Sequence, residues 1–230
     1  VTFTTPFLEA LDGSINRHAM LSHPFYQLWN EGKLTQAILA DYAQQYFAQV
    51  KAFPTYVSGV HSHCDDLTVR KMLLENLVEE EQGVDNHPEL WLRFAEGLGV
   101  SREAVEQAEL LPHTQASVAQ MRSLSQSEDY LQGMAALYAY ESQIPDVART
   151  KRQGLKDFYG ITDDRTVSFF SAHEQADVVH RQVERQVLAE SCTTPEQQEK
   201  VLAAAEAGAK ALWHFLDGVY EAYITPTLAA

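Results

Sequence analysis

Apolar residues return every three or four positions along most of the chain and seldom alternate, which is the pattern of amphipathic helices and not of strands. Leu8, Leu11 and Ile15 share one side of a first segment beginning near Phe7. A short second helix is predicted around His23 to Asn30, stopped by Gly32. Thr35 then caps a long helix to about Cys64, with Leu39, Tyr42, Tyr46 and Val50 near helical spacing. Pro54 falls inside it, so a kink or break is expected there. Further helices are predicted from about Asp66 to Gln82, His87 to Leu98, Ser101 to Glu109 and Ala116 to Leu124. Ser127 is expected to cap one long helix through Tyr140 to about Tyr159, with Pro145 inside. Asp163 or Asp164 opens the next helix. Thr194-Pro195-Glu196 starts the last, a cap followed by proline at the first helical position, which runs to about Tyr223. Long helices joined by short turns, with no repeat or flexible linker between them, imply one compact all-α bundle over residues 1–230.

Charge narrows the partners. A net charge of -15 argues against nucleic acid or an anionic membrane, because phosphate binding needs a basic face. The longest apolar runs, such as Val201-Leu-Ala-Ala-Ala205, fall far short of the roughly 20 residues of a membrane span. No basic segment followed by an apolar core opens the sequence, so a secretion signal is not expected. Cys64 and Cys192 lie far apart, read as free thiols, and fit a reducing compartment. The expected location is cytoplasmic.

The candidate chemistry centres on His173, Asp177 and His180. Steps of four and three place all three within about 60° of one another on a helix. Two imidazoles and a carboxylate on one face suit a first-row metal, although alone such a face is more often simply solvated. Matching donors occur elsewhere. Glu80 and His87 are two helical turns apart, returning to within about 20° if the register persists past Gly83, and Glu80 is the better-placed of Glu79-Glu-Glu81. Three glutamates at a helix C-terminus oppose its dipole, a cost that a nearby cation would offset. Glu141 follows residues that are apolar or aromatic on every side, where a carboxylate must be paired or metal-bound. Arg149 and Arg152 are the alternative partners. Pro145 removes the hydrogen bond that would end on the Glu141 carbonyl. Glu80, His87, Glu141, His173, Asp177 and His180 are together enough for two metals with coordination left open for O2. Fe/Fe and Mn/Fe pairs both accept these nitrogen and oxygen donors, whereas zinc would leave no redox role.

The chain resembles the CADD family, named for the Chlamydia protein associating with death domains, among the haem-oxygenase-like di-metal oxidases related to TenA and PqqC. The resemblance extends to about residue 190. It rests on the order and spacing of His23-x-Phe-Tyr-x-x-Trp29, Lys51-Ala-Phe-Pro54, His61-Ser-x-Cys-Asp-Asp-Leu67, Glu80-Glu-x-Gly-x-x-Asn-His87, Ala136-Leu-Tyr-x-Tyr-Glu-Ser-Gln-Ile-Pro145 and His173-Glu-x-Ala-Asp-Val-x-His180. It implies a haem-oxygenase/TenA-like bundle whose metal ligands match the six residues above, using O2 and an external reductant. The implied function is synthesis of p-aminobenzoate for folate, with the ring taken from Tyr26 and the nitrogen from Lys151, so that each molecule is consumed as it works. On sequence alone Tyr26 reads as core packing and Lys151 as part of a solvated basic patch. Tyr42, Tyr138 and Tyr140 match family tyrosines near the site, and relatives suggest a homodimer.

Two departures stand out. Phe169 occupies a position where a tyrosine is expected in the chlamydial members, and a radical or crosslink there is ruled out by chemistry. The C-terminal part lacks their cysteine-rich tail, which weakens any carry-over of death-domain binding. Two rival functions follow from the same residues: a di-iron oxidase acting on an external small molecule, and a non-enzymatic interaction protein of the death-domain-binding type. TenA-like hydrolysis would need a catalytic cysteine, and Cys64 and Cys192 fall outside the ligand strings.

Overall fold

Side-chain oxygens begin most of the helices. A computed structural model describes residues 5–228, and the side chains of all of these except 175–179 and 228. Thr5 caps α1 (Pro6–Asn16), Thr35 caps α3 (Gln36–His63) and Asp66 caps α4 (Leu67–Glu81), each accepting from an amide of the first turn. Asn86 does the same for α5 (His87–Gly97) and Ser101 for α6 (Arg102–Glu106). Asp163 caps α10 (Asp164–Ser191), and Thr194 with Gln197 forms a capping box on α11 (Pro195–Val219). The imidazole of His23 caps α2 (Pro24–Asn30), its Nδ1 accepting from the amide of Phe25. A π-helical turn, Tyr220–Ile224, and the short α12 (Thr225–Leu228) finish the chain. No strand occurs among the described residues, and no helix among them is long and apolar enough to cross a membrane.

Four expectations need correction. Of the kink or break expected at Pro54, the break does not occur: α3 continues through it as one helix, with the ring buried in the core. The helix after Ser101 ends at Glu106 and not at Glu109, because Gln45 of α3 pins the chain there. Its amide nitrogen donates to the Glu109 carbonyl at 2.9 Å and its oxygen accepts from the Leu111 amide at 3.0 Å. α7 (Pro112–Ser125) starts earlier than Ala116, with Pro112 supplying the preset φ of a first helical position. The expected long helix over 127–159 is two helices, α8 (Tyr130–Glu141), capped by Asp129, and α9 (Ile144–Tyr159). Pro145 has no amide proton to give to Glu141, so α8 closes at Ser142 and Gln143 and the proline sits in the first turn of α9, where it costs nothing.

α8 is the central element. Every residue from Gly133 to Glu141 is buried, and the helix packs against α3, α7, α10 and α11. Its small side chains allow close approach: a Cβ added at Gly208 of α11 would come within 3.3 Å of the Ala136 Cα. α10 lies between α5, α8 and α9, while α4 leans on α3 and α5. The ends of α4, α5 and α8 and the middle of α10 thus meet at one level of the core.

Candidate metal centre and the buried lysine

Glu80 is the penultimate residue of α4, and His87 is the first residue of α5. The helical register does not persist between them. Gly83 adopts φ +84°, a conformation that favours glycine, and Asn86 recaps the chain. The loop brings His87 Nδ1 to 2.7 Å from Glu80 Oε1, so the two pair through a turn and not along one helical face. His173 arrives from α10, its ring 4.2 Å from that of His87. One ligand atom from each of Glu80, His87 and His173 lies within 4.8 Å of the others, and all three residues are buried.

Burial sets the protonation of this cluster. It pushes the Glu80 carboxyl above its ordinary range, with His87 pulling the other way. It drives the His173 imidazole well below its ordinary value, and the neighbouring His87 adds to the effect. Neutral His173 has its Nδ1 at 2.7 Å from the carbonyl of Phe169, which can only accept. Nδ1 therefore carries the proton and Nε2 keeps its lone pair, the orientation that metal-ligating histidines take from a second hydrogen bond. Two imidazoles and a carboxylate converging at this range fit a first-row divalent ion.

Glu141, at the last position of α8, lines the same cavity as Glu80, His87 and His173. Burial would raise its pKa, but hydrogen-bond contact with Glu184, His180 and Asn76 outweighs this and holds the carboxyl below its ordinary value. His180 presents Nδ1 at 3.2 Å from Glu141 Oε1 and Nε2 at 3.2 Å from Glu79 Oε2. Arg149 and Arg152, the alternative partners for Glu141, turn to Asp146 and Glu174. The side chain of Asp177 lies outside the described residues. Five of the six expected ligands are thus gathered at one level of the core.

A layer of phenols separates this polar centre from a second one. Tyr46 and Tyr140 line the cavity and share a hydrogen bond of 2.6 Å. Beyond them Lys151 of α9, only 2 % exposed, donates from Nζ to the Tyr42 hydroxyl at 2.5 Å. The Tyr42 and Tyr26 hydroxyls are 3.3 Å apart. Nζ lies 5.4 Å from the centre of the Tyr26 ring, 4.9 Å from that of Tyr42 and 4.6 Å from that of Tyr46. Burial pushes the lysine pKa well below its ordinary value and those of Tyr26 and Tyr42 well above theirs. Burial thus favours the neutral form of all three groups. The apparent basic patch Arg149-Thr-Lys-Arg152 divides, with both arginines outside and the lysine in the core.

Tyr138 goes elsewhere. Its hydroxyl donates to Asp12 at 2.7 Å, beside Arg185, on the face of α8 that meets α1 and α10. Phe169 lines the metal cavity, its ring centre 4.0 Å from that of His173. Asn76 and Glu184 were not singled out from the sequence. Asn76 lies four residues before Glu80 and Glu184 four after His180, so extending each ligand face by one turn would have found both.

The all-α bundle is of the haem-oxygenase/TenA-like type. A TenA homologue from Pseudomonas syringae pv. tomato superposes with a TM-score of 0.81 at 17% identity, over 96% of this chain and 99% of its own, a likeness of fold. The profile of the family described as iron-containing redox enzyme matches residues 40–213. A protein of Nitrosomonas europaea named 4-aminobenzoate synthase is 43% identical, over 96% of this chain and 93% of its own length. Another of that name, from Chlamydia muridarum, is 41% identical over 94% and 90%. The chain belongs to this family of iron-containing redox enzymes, together with those two synthases.

Proposed function

We propose that the protein is an oxidase that makes 4-aminobenzoate by using two of its own side chains. The ring and the benzylic carbon would come from Tyr26 and the amino nitrogen from Lys151. The names of the two relatives support the product, and the family supports the redox chemistry. The observation that carries the self-substrate reading is the buried Lys151–Tyr42–Tyr26 arrangement, with Nζ 5.4 Å from the Tyr26 ring centre.

The chemistry is economical. Tyrosine already bears a carbon and a heteroatom in para relation, as 4-aminobenzoate does. Conversion breaks the Cα–Cβ bond of Tyr26 and the Cε–Nζ bond of Lys151, oxidises Cβ to the carboxyl carbon with O2 as the oxidant, and forms a ring C–N bond as the phenol oxygen leaves as water. Lys151 can serve as the nitrogen source only as a neutral amine, and its burial supplies that form. Tyr42 accepts the lysine's hydrogen bond and fixes the amine against the ring. Two ions, Fe/Fe or Mn/Fe, would be held by Glu80, His87, His173, Glu141 and His180, with Asp177 as the sixth ligand. When bound they supply electrons to O2, and an external reductant resets them. Tyr46, which lines the cavity, is bonded to Tyr140 and lies 4.6 Å from Nζ, could pass a proton or an oxidising equivalent between the ions and the lysine.

Cavity size favours this reading over an external substrate. The cavity at the cluster holds about 20 Å³, whereas a pocket that accepts benzene is about 150 Å³. Complementation tests the proposal. Tyr26→Phe should fail to support a 4-aminobenzoate auxotroph that the parent chain supports, with the variant folded and its metal content unchanged. Growth on Tyr26→Phe would exclude Tyr26 as the ring source.

A further inference from the structure

Glu184 is 4 % exposed and one turn beyond His180 on α10, and it makes hydrogen-bond contact with the buried Glu141. Two carboxyl groups touching in the core are costly unless a proton or a cation lies with them.

A second, independent feature faces the same place. Glu184, His180, Asn76 and Glu79 line a cavity of about 80 Å³, distinct from the one enclosed by Glu80, His87 and His173. Asn76 is 4 % exposed. Its Nδ2 donates to Glu141 Oε1 at 3.0 Å, and that carboxylate contact fixes which end of the amide is which. The remaining Oδ1 is buried and has no hydrogen-bond partner among the described residues. A buried carbonyl oxygen without a partner is costly, so its persistence beside a carboxylate pair points to an electropositive occupant.

We propose that Glu184 and the Oδ1 of Asn76 are further ligands of the second ion, joining Glu141 and His180. This rests on the two-ion reading of the preceding section. The donor set becomes two carboxylates, an imidazole and an amide oxygen, oxygen-rich beside the more nitrogen-rich set of Glu80, His87 and His173. Hard oxygen donors favour manganese or ferrous iron over softer ions, so the two positions differ in the metal they prefer.

The test is a titration of the metal-free full-length chain with Mn2+, following the signal of the unbound ion by electron paramagnetic resonance. The parent chain should bind two ions. Glu184→Gln keeps the shape and one oxygen but loses the charge. It should retain the first ion while the second weakens by more than about 100-fold, beyond the 10–100-fold loss typical of a merely supporting partner. Glu184→Asp should recover part of that loss, and Asn76→Ala should weaken the same ion by a smaller factor. Helical circular dichroism on each variant confirms the fold. Parental affinity for both ions in Glu184→Gln would overturn the assignment of Glu184, including the case where Glu184→Ala alone is impaired, which marks packing. Parental affinity in Asn76→Ala would strike Asn76 from the set. A parent chain that binds a single ion would instead defeat the two-ion reading itself.

Discussion

The cluster of Glu80, His87 and His173 and the cage around Lys151 are both sealed in the core, yet they hold opposite chemistry. The first gathers carboxylate and imidazole donors, with Glu80 and His87 paired at 2.7 Å. The second encloses a lysine whose hydrogen bond goes to a phenol and whose other neighbours are aromatic faces. Joining them in one ion pair would satisfy both. The fold instead sets Tyr46, which lines the cavity of the first and lies 4.6 Å from Nζ of the second, where the two pockets meet. The separation leaves the donors able to take up an external cation and, through burial, favours the uncharged amine. Each pocket forgoes stability that the other could have provided, and each keeps a reactive form by doing so.

Three substitutions sharpen this contrast. His173→Ala removes a donor from the first pocket only. Ion affinity should drop by more than about 100-fold, exceeding the loss typical of supporting residues, and product should vanish while Lys151 stays buried. Metal analysis of purified protein together with product assay checks this. A variant that retained parental metal content would remove His173 from the site.

Lys151→Met acts on the second pocket. Product should again be absent, this time with metal content unchanged. Stability should move in the opposite direction. A base whose folded pKa lies below its unfolded value of about 10.4 destabilises the fold at lower pH, where the unfolded chain gains the proton and the folded chain resists it. That penalty is largest below the folded pKa and disappears as pH rises through the unfolded one. Removing the amine should therefore raise Tm at pH 7 by at least about 2–4 °C, the equivalent of 1 kcal/mol in a chain of this size. The gain should shrink as pH approaches about 10. Thermal denaturation at pH 7 and 9 measures it, and a lower Tm at both would contradict the account of the buried amine.

Gly154→Ala gives the smallest effect and touches neither pocket's chemistry. A Cβ there would lie 2.6 Å from Nε1 of Trp29, the group that donates to the Lys151 carbonyl. α2, which carries Tyr26, would have to move away from α9, which carries Lys151. Overpacking of this kind costs about 1–3 kcal/mol, read by chemical denaturation. Product yield should fall severalfold with both reactive residues intact and metal content unchanged.

Much of this was legible in the sequence because helix starts are written locally. Thr35, Asp66, Ser101, Asp163 and Thr194 cap the helices their positions predict. The errors arose where distant contacts or proline decide. Gln45 ends α6 from another helix, and Pro145 turns one expected helix into two. The pairing of Glu80 with His87 was legible for the wrong reason, since periodicity placed them on one face and a glycine turn delivers them instead. Lys151 shows the limit most clearly. Its neighbours Arg149 and Arg152 give a charged local pattern, and its burial depends on how α9 docks against α2, α3 and α10, which no short stretch of sequence encodes.

The most direct measurement follows the atoms. The protein is prepared with heavy-isotope tyrosine labelled in the ring and heavy-isotope lysine labelled at Nζ, then supplied with metal, O2 and reductant in unlabelled buffer. The account predicts 4-aminobenzoate that carries both labels, accompanied by loss of the side chain at residue 26 in the intact-protein mass. Unlabelled product formed over several turnovers, with Tyr26 unchanged, would contradict it.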